Sequence, residues 1–239
     1  MSLFAIGDLH LPGGDEKPMD IFGSHWDGHF QRISEDWRSR VRDEDTVLIP
    51  GDISWAMQLR DALPDLEVIN SLPGSKIILK GNHDYWWNTL SQVKSALPKG
   101  MTAIQHSAVD AGEAVVCGTR GWTLPTADTP LSAEDQRIFN REVLRLEMAL
   151  QAAMKIRGDK PLVVMMHYPP LYDLERDTEF TRLLQRYPVT TVVYGHLHGA
   201  GIRVGFNGVW EGINYRLISC DSLGFQLAEV PLEMPGIEN

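Results

Sequence analysis

The chain has 239 residues, 43% of them hydrophobic, and a formal net charge of -10. This length and apolar content suffice for one large core, so a single domain over residues 1–239 is expected. The acidic balance argues against a long nucleic acid as partner, because a phosphate backbone calls for clustered Lys and Arg, but it leaves open a small anion held on bound cations.

The first apolar run, residues 3–6, reaches a charged cluster too soon for a secretory leader and reads as a strand. Residues 13–18 read as a loop. Phe30, Ile33, Trp37 and Val41 recur at helical steps, and runs at 46–49 and 76–79 are again strand-like. Another strand-like run begins at Ala114 and leads to Arg120. A second helical stripe, Phe139, Val143, Leu146, Leu150 and Met154, begins at Ser132 with Asp135 three residues on, as in a capping box, and stops near Gly158 before Pro161. Strand-like runs come next at 162–166 and 189–194. Beyond them the helical spacing ends, and short pieces at 208–211, 215–219 and 225–230 predict antiparallel strands of a second sheet. The alternation predicts an α/β layered fold.

Two cysteines, Cys117 and Cys220, are too few for a disulfide framework, and no apolar run approaches the roughly 18 residues of a membrane span. A cytoplasmic protein with no membrane span is expected.

The residues just after each predicted strand carry the chemistry. Asp8 and His10 come after the first, Gly51 and Asp52 after the second, and Gly81-Asn82-His83-Asp84 after the third. His167 and then Gly195-His196-Leu197-His198 come after the last two buried runs. In layered α/β folds the carboxyl ends of the strands share one edge, so these side chains would converge. Five of the eight histidines fall in these clusters, leaving His25, His29 and His106 elsewhere. His25 and His29 read as surface or packing residues. Carboxylate oxygens and imidazole nitrogens without thiolates suit catalytic Zn, Fe or Mn better than a structural zinc site. The spacing of two in DxH and HxH would place both side chains on the same side of an extended chain, an arrangement that turn geometry would alter. Singly, each cluster also fits an ordinary turn; the ordered set after strands is what points to a metal site.

This ordered set, DxH, GD, GNH with a following acid, H and GHxH, resembles the calcineurin-like metallophosphoesterase superfamily, over Asp8 to His198. The resemblance implies a four-layer αββα sandwich of two mixed β-sheets flanked by helices, an α/β (α+β) fold. It also implies two divalent or trivalent metal ions, Mn, Fe or Zn. One would be held by Asp8, His10, Asp52 and His198, the other by Asp52, Asn82, His167 and His196. His83 would assist the leaving group while a metal-bridging hydroxide attacks a phosphomonoester or phosphodiester. Asn82 would also lie against the substrate, a small phosphorylated molecule. Protein Ser/Thr phosphatases of the superfamily extend the second motif to GDxxDRG. Here the stretch is GDISWAM, with Trp55 in place of the acid that orients the histidine and Asp84 as the substitute to consider. The chain is therefore expected outside that branch. A catalytically silent interaction scaffold and, more remotely, a nuclease are the competing readings.

Trp55, Tyr85, Trp86, Trp87 and Trp122 fall near the motifs and read either as core or as rings that stack on a base or aryl leaving group. Arg120, in Gly-Thr-Arg-Gly-Trp, reads either as a phosphate clamp or as a surface ion pair. The sequence carries no signal of oligomeric state.

Overall fold

Apolar runs buried on both faces favour parallel strands with helices packed over them, and two such sheets organise the chain. The computed structural model describes residues 1–14, 19, 23–125 and 130–233; most of the loop expected over 13–18 lies outside these. In the first sheet β1 (Leu3–Ala5), β2 (Thr46–Ile49), β3 (Ser75–Ile78) and β4 (Met101–Ala103) run parallel in that order. The second is built from β5 (Ser107–Asp110), β6 (Val115–Thr119), β7 (Leu162–Met166), β8 (Val189–Tyr194), β9 (Gly208–Trp210) and β10 (Ile213–Leu217), in the order β5-β6-β7-β8-β10-β9. Its inner strands β6, β7, β8 and β10 are parallel, while β5 and β9 pair antiparallel at the edges.

Alternation along each strand sets the layers. Leu3, Ala5, Leu48 and Ile77 pack with Val116, Val163, Met165 and Val193 in one buried cluster between the sheets. The opposite face of the first sheet, with Phe4, Val47, Ile49 and Ile78, packs on helices α1 (His29–Arg40), α2 (Leu59–Asn70) and α3 (Leu90–Ala96) through Ile33, Trp37, Leu66, Ile69 and Val93. The outer face of the second sheet, with Cys117, Val164, Met166 and Val192, is covered by Phe139, Leu146 and Leu150 of α4 (Ala133–Ile156) and by Phe180 and Leu184 of α5 (Glu179–Leu184). The result is the expected helix–sheet–sheet–helix sandwich. Each fully buried Leu, Ile, Val or Phe contributes about 1.5–3 kcal/mol. The long helix α4 starts where its sequence says, with the Ser132 side chain accepting the Asp135 backbone N–H at 3.1 Å.

The C-terminal strands differ from expectation in two ways. Only β9 and β10 form an antiparallel pair, whereas β10 lies parallel to β8. The last strand, β11 (Ala228–Glu229), crosses to the first sheet and pairs antiparallel with β1. Helix α2 has no clear sequence signature because Pro64 sits inside it, where proline removes a backbone donor and crowds the preceding turn. No described helix is long and apolar enough to cross a membrane.

Candidate metal centre

The parallel strands β1, β2, β3, β7 and β8 deliver their following residues to one edge of the sandwich. Asp8, His10, Asp52 and His196 all have backbone φ between 47° and 75°. The two-residue spacing of DxH and HxH therefore works through left-handed turns, not through the extended backbone expected from sequence. Such a conformation costs an L-residue about 1–2 kcal/mol and persists where neighbours over-determine it. Here a short ladder does so: Asp8 N donates to Gly51 O at 3.0 Å, His10 N to Asp52 O at 2.9 Å and Leu11 N to Ile53 O at 2.9 Å. Glycine is needed for close approach at two points. A Cβ on Gly195 would overlap the Asp8 carboxylate, and one on Gly81 would overlap Asp52.

The predicted residues converge. Asn82 Oδ1 lies 2.6 Å from His167 Nε2 and 2.9 Å from His196 Nδ1. His10 Nε2 and His198 Nε2 face each other at 3.4 Å, and His198 Nε2 is 3.4 Å from Asp8 Oδ1. Asp52 Oδ2 is 3.9 Å from His10 Nε2 and 3.6 Å from His167 Nε2. Asp8, His10 and His198 form one group with metal-ligand spacing, and Asp8, Asp52 and His167 form another. Asp52 Oδ2 thus faces an imidazole of each group, and Asp8 takes part in both. Asp8, His10, Asp52 and His167 are buried as a floor, with Asn82, His196 and His198 partly exposed above them.

The chemistry of this donor set fits cations. His167 Nδ1 lies 3.0 Å from the Pro50 carbonyl and His198 Nδ1 lies 2.8 Å from Asp221 Oδ1. Each outer nitrogen therefore carries a proton, and each Nε2 points inward at other polar atoms of the cluster, the orientation of metal-ligating histidine. Burial holds the His10 and His196 imidazoles down at about 3, neutral and free to ligate. Burial also pushes the Asp52 carboxyl well up, and the neighbouring Asp8 and Asp84 push it further. For His198 burial works downward, but the Asp8 and Asp221 carboxylates outweigh it and move the group up to about 10. A proton between His198 and Asp8 stands in the place where a bound cation would compete with it.

His83 belongs to neither of the two groups. Its backbone N–H donates to Asp52 Oδ1 at 2.8 Å, and its half-buried ring lies 4.6 Å from that of Trp55. The Tyr85 hydroxyl is 3.5 Å from His83 Nδ1, at the outer limit for a hydrogen bond. Asp84 is not its partner: the carboxylate turns beneath the loops and accepts from the backbone N–H groups of Gly81, Asp52, Ile53 and Ser54 and from Trp86 Nε1. Trp86 and Trp87 are core. Trp122 packs on Tyr168 and donates to Asp135, and the Arg120 guanidinium lies over its ring at 4.6 Å. The Arg120 carbonyl accepts the His167 and Tyr168 N–H groups, which places Arg120 beside the site through its backbone. His29 is a packing residue whose Nε2 lies 2.9 Å from Leu9 O.

Sequence reasoning missed three residues. Asp221 orients His198 and also accepts the Gly199 and Ser222 N–H groups; it comes after β10, which is parallel to β8, so the strand-end rule extended by one strand points to it. Tyr168 packs on His196 with ring centroids 4.1 Å apart and the planes tilted by 39°. Trp26 packs against His10 and His198 from a segment that carries no motif.

Comparison with known proteins places residues 1–200 under the family model described as calcineurin-like phosphoesterase. Among solved structures the chain is similar to the phosphopantetheinyl hydrolase of Mycobacterium tuberculosis, with a TM-score of 0.56 and 16% identity over 98% of both chains. It is also similar to a protein of unknown function from Aquifex aeolicus, with a TM-score of 0.48 and 14% identity over 95% of both chains. The former supports the fold described above. Among curated proteins none matches the sequence.

Proposed function

The chain belongs to the calcineurin-like phosphoesterase family, and from that membership we propose that it hydrolyses small phosphomonoesters or phosphodiesters with two bound metal ions. The observation that carries this reading is the convergence of ring nitrogens from His10, His167, His196 and His198 on Asp8, Asp52 and Asn82. Asp8, His10, Asp52 and His198 would hold one ion; Asp52, Asn82, His167 and His196 would hold the other. When bound, such a pair supplies Lewis acidity toward phosphoryl oxygens and a hydroxide nucleophile at neutral pH. The chain itself fixes Asp52 through the His83 N–H, keeps the floor dry and sets the His83 imidazole at the rim, within reach of a leaving oxygen. Arg120 adds positive charge on the Tyr168 side.

The test is to load the protein with manganese, count metal per chain by elemental analysis, and assay p-nitrophenyl phosphate and bis(p-nitrophenyl) phosphate. Two ions per chain and turnover of at least one ester, abolished by chelation, are expected. Two bound ions without turnover of either ester would favour the interaction scaffold instead. Asp221→Ala should weaken manganese binding by about 10- to 100-fold, the usual effect of losing a group that orients a ligand; an unchanged Kd by calorimetry would detach Asp221 from the site. Arg120→Ala should raise KM by several-fold with kcat held, and an unchanged KM would return Arg120 to its packing role on Trp122.

A further inference from the structure

Beside the ligand cluster lies a cavity of about 240 Å³ that shares His10, His83 and His198 with it and is otherwise walled by Trp26, Trp55 and Met19. The Trp55 ring is stacked on His10 at 4.9 Å and 22°, and its Nε1 meets Met19 Sδ at 3.3 Å. Trp26 is held edge-on to Phe225 and tilted against His198. No carboxylate, lysine or arginine among the described residues lines this space; the exposed His25 and Gly199 complete it. Among the described lining residues the raised imidazole is His198, already paired with Asp8 and Asp221, so an uncharged group meets this wall without giving up hydration of a charge. The volume lies below the roughly 300–1,000 Å³ of drug-sized sites, too small for a long acyl chain and suited to a ring. Ring faces, ring edges and a thioether favour a flat π-system over a saturated group of equal size.

We propose that this cavity is the subsite for a neutral planar ring attached to the phosphoryl group of the substrate, so that the enzyme selects aromatic or heteroaromatic phosphoesters. The proposal rests on the phosphoesterase reading, because the ring is placed by a phosphoryl group on the adjoining centre. Among the tryptophans near the motifs it assigns this role to Trp55, adds Trp26, and leaves Trp86, Trp87 and Trp122 to packing.

Phosphonates test it without any leaving-group chemistry. Binding of methylphosphonate, cyclohexylphosphonate and phenylphosphonate to the manganese-loaded protein is measured by calorimetry, with inorganic phosphate as reference. Phenylphosphonate is expected to bind about 10-fold tighter than methylphosphonate and tighter than the cyclohexyl compound. Trp26→Leu and Trp55→Leu should each remove most of that gain, and should Trp26→Leu not fold, Trp55→Leu decides. Equal Kd values for methyl and phenyl compounds, or a cyclohexyl compound that binds at least as tightly as phenyl, would overturn the ring subsite while the phosphoesterase reading stands. If neither phosphate nor any phosphonate binds, the phosphoesterase reading fails and the subsite fails with it.

Discussion

Replacing His83 with asparagine is expected to lower kcat on an alkyl phosphoester by about 10²- to 10⁴-fold, the range of a positioned general acid, while two manganese ions remain bound. Asparagine keeps a polar side chain of similar reach at the rim and leaves the backbone N–H of residue 83, which anchors Asp52, in place. It cannot deliver a proton to a departing alkoxide. On a nitrophenyl ester, whose leaving group departs without protonation, the loss should be far smaller. The ratio of the two losses therefore reports the role: similar losses on both substrates would identify His83 as a binding group, and retained kcat on the alkyl ester would remove it from catalysis. On the proposed role of His83, Trp55 would bear on the same proton transfer, since its ring lies 4.6 Å from the imidazole where GDISWAM offers no orienting acid. With orientation supplied by packing on that reading, Trp55→Leu should lower kcat on the alkyl ester more than on the nitrophenyl ester.

The inner strands and the convergence of the motif residues were legible because each rests on a local signal. β7 and β8 coincide with their apolar runs, and Asp8, Asp52, Asn82, His167 and His196 come after strands that parallel pairing brings to one edge. The features that escaped depend on tertiary context. The short edge strands β4 and β5 carry little pattern of their own, and β11 finds its place only by pairing across the molecule with β1. The left-handed backbone at Asp8 and His10 is non-local in the same sense, because the ladder that stabilises it joins residues 8–11 to 51–53. Neither Trp26 nor Asp221 belongs to a motif, and of the two only Asp221 has a strand-end position that points to it. The tryptophans show the limit of composition most sharply: Trp86 and Trp87 sit next to His83 in sequence yet face the core, while Trp26, far from it in sequence, reaches the cavity.

Asp84 carries the second large effect, on stability. Its buried carboxylate ties the Asp52 loop to the Gly81 loop through five donors, Gly81 N at 2.7 Å, Asp52 N at 2.9 Å, Ile53 N at 2.8 Å, Ser54 N at 3.3 Å and Trp86 Nε1 at 3.0 Å, beside the single bond from His83 N to Asp52 Oδ1. Asp84→Ala leaves all five without that acceptor in a place with no solvent access. An unsatisfied buried donor costs about 1–3 kcal/mol, and breaking a buried charged network about 3–5 kcal/mol. Loop relaxation and entry of water would recover part of the sum, so a loss of about 3–5 kcal/mol, read from the urea midpoint, is expected. Asp84→Asn should lose less, because its carbonyl oxygen still serves one side of the knot while its amide group faces donors on the other. The metal-free protein offers an internal control. There Asp84 also repels the buried Asp52 carboxylate, which neighbouring charge and burial already push upward, and its removal relieves that repulsion. The loss should accordingly be smaller in the metal-free protein than with manganese bound, where the cations neutralise Asp52 and leave only the broken hydrogen bonds to register. A stability loss below about 1 kcal/mol in the loaded protein, the range of an ordinary surface change, would show that the two loops are held by something other than Asp84.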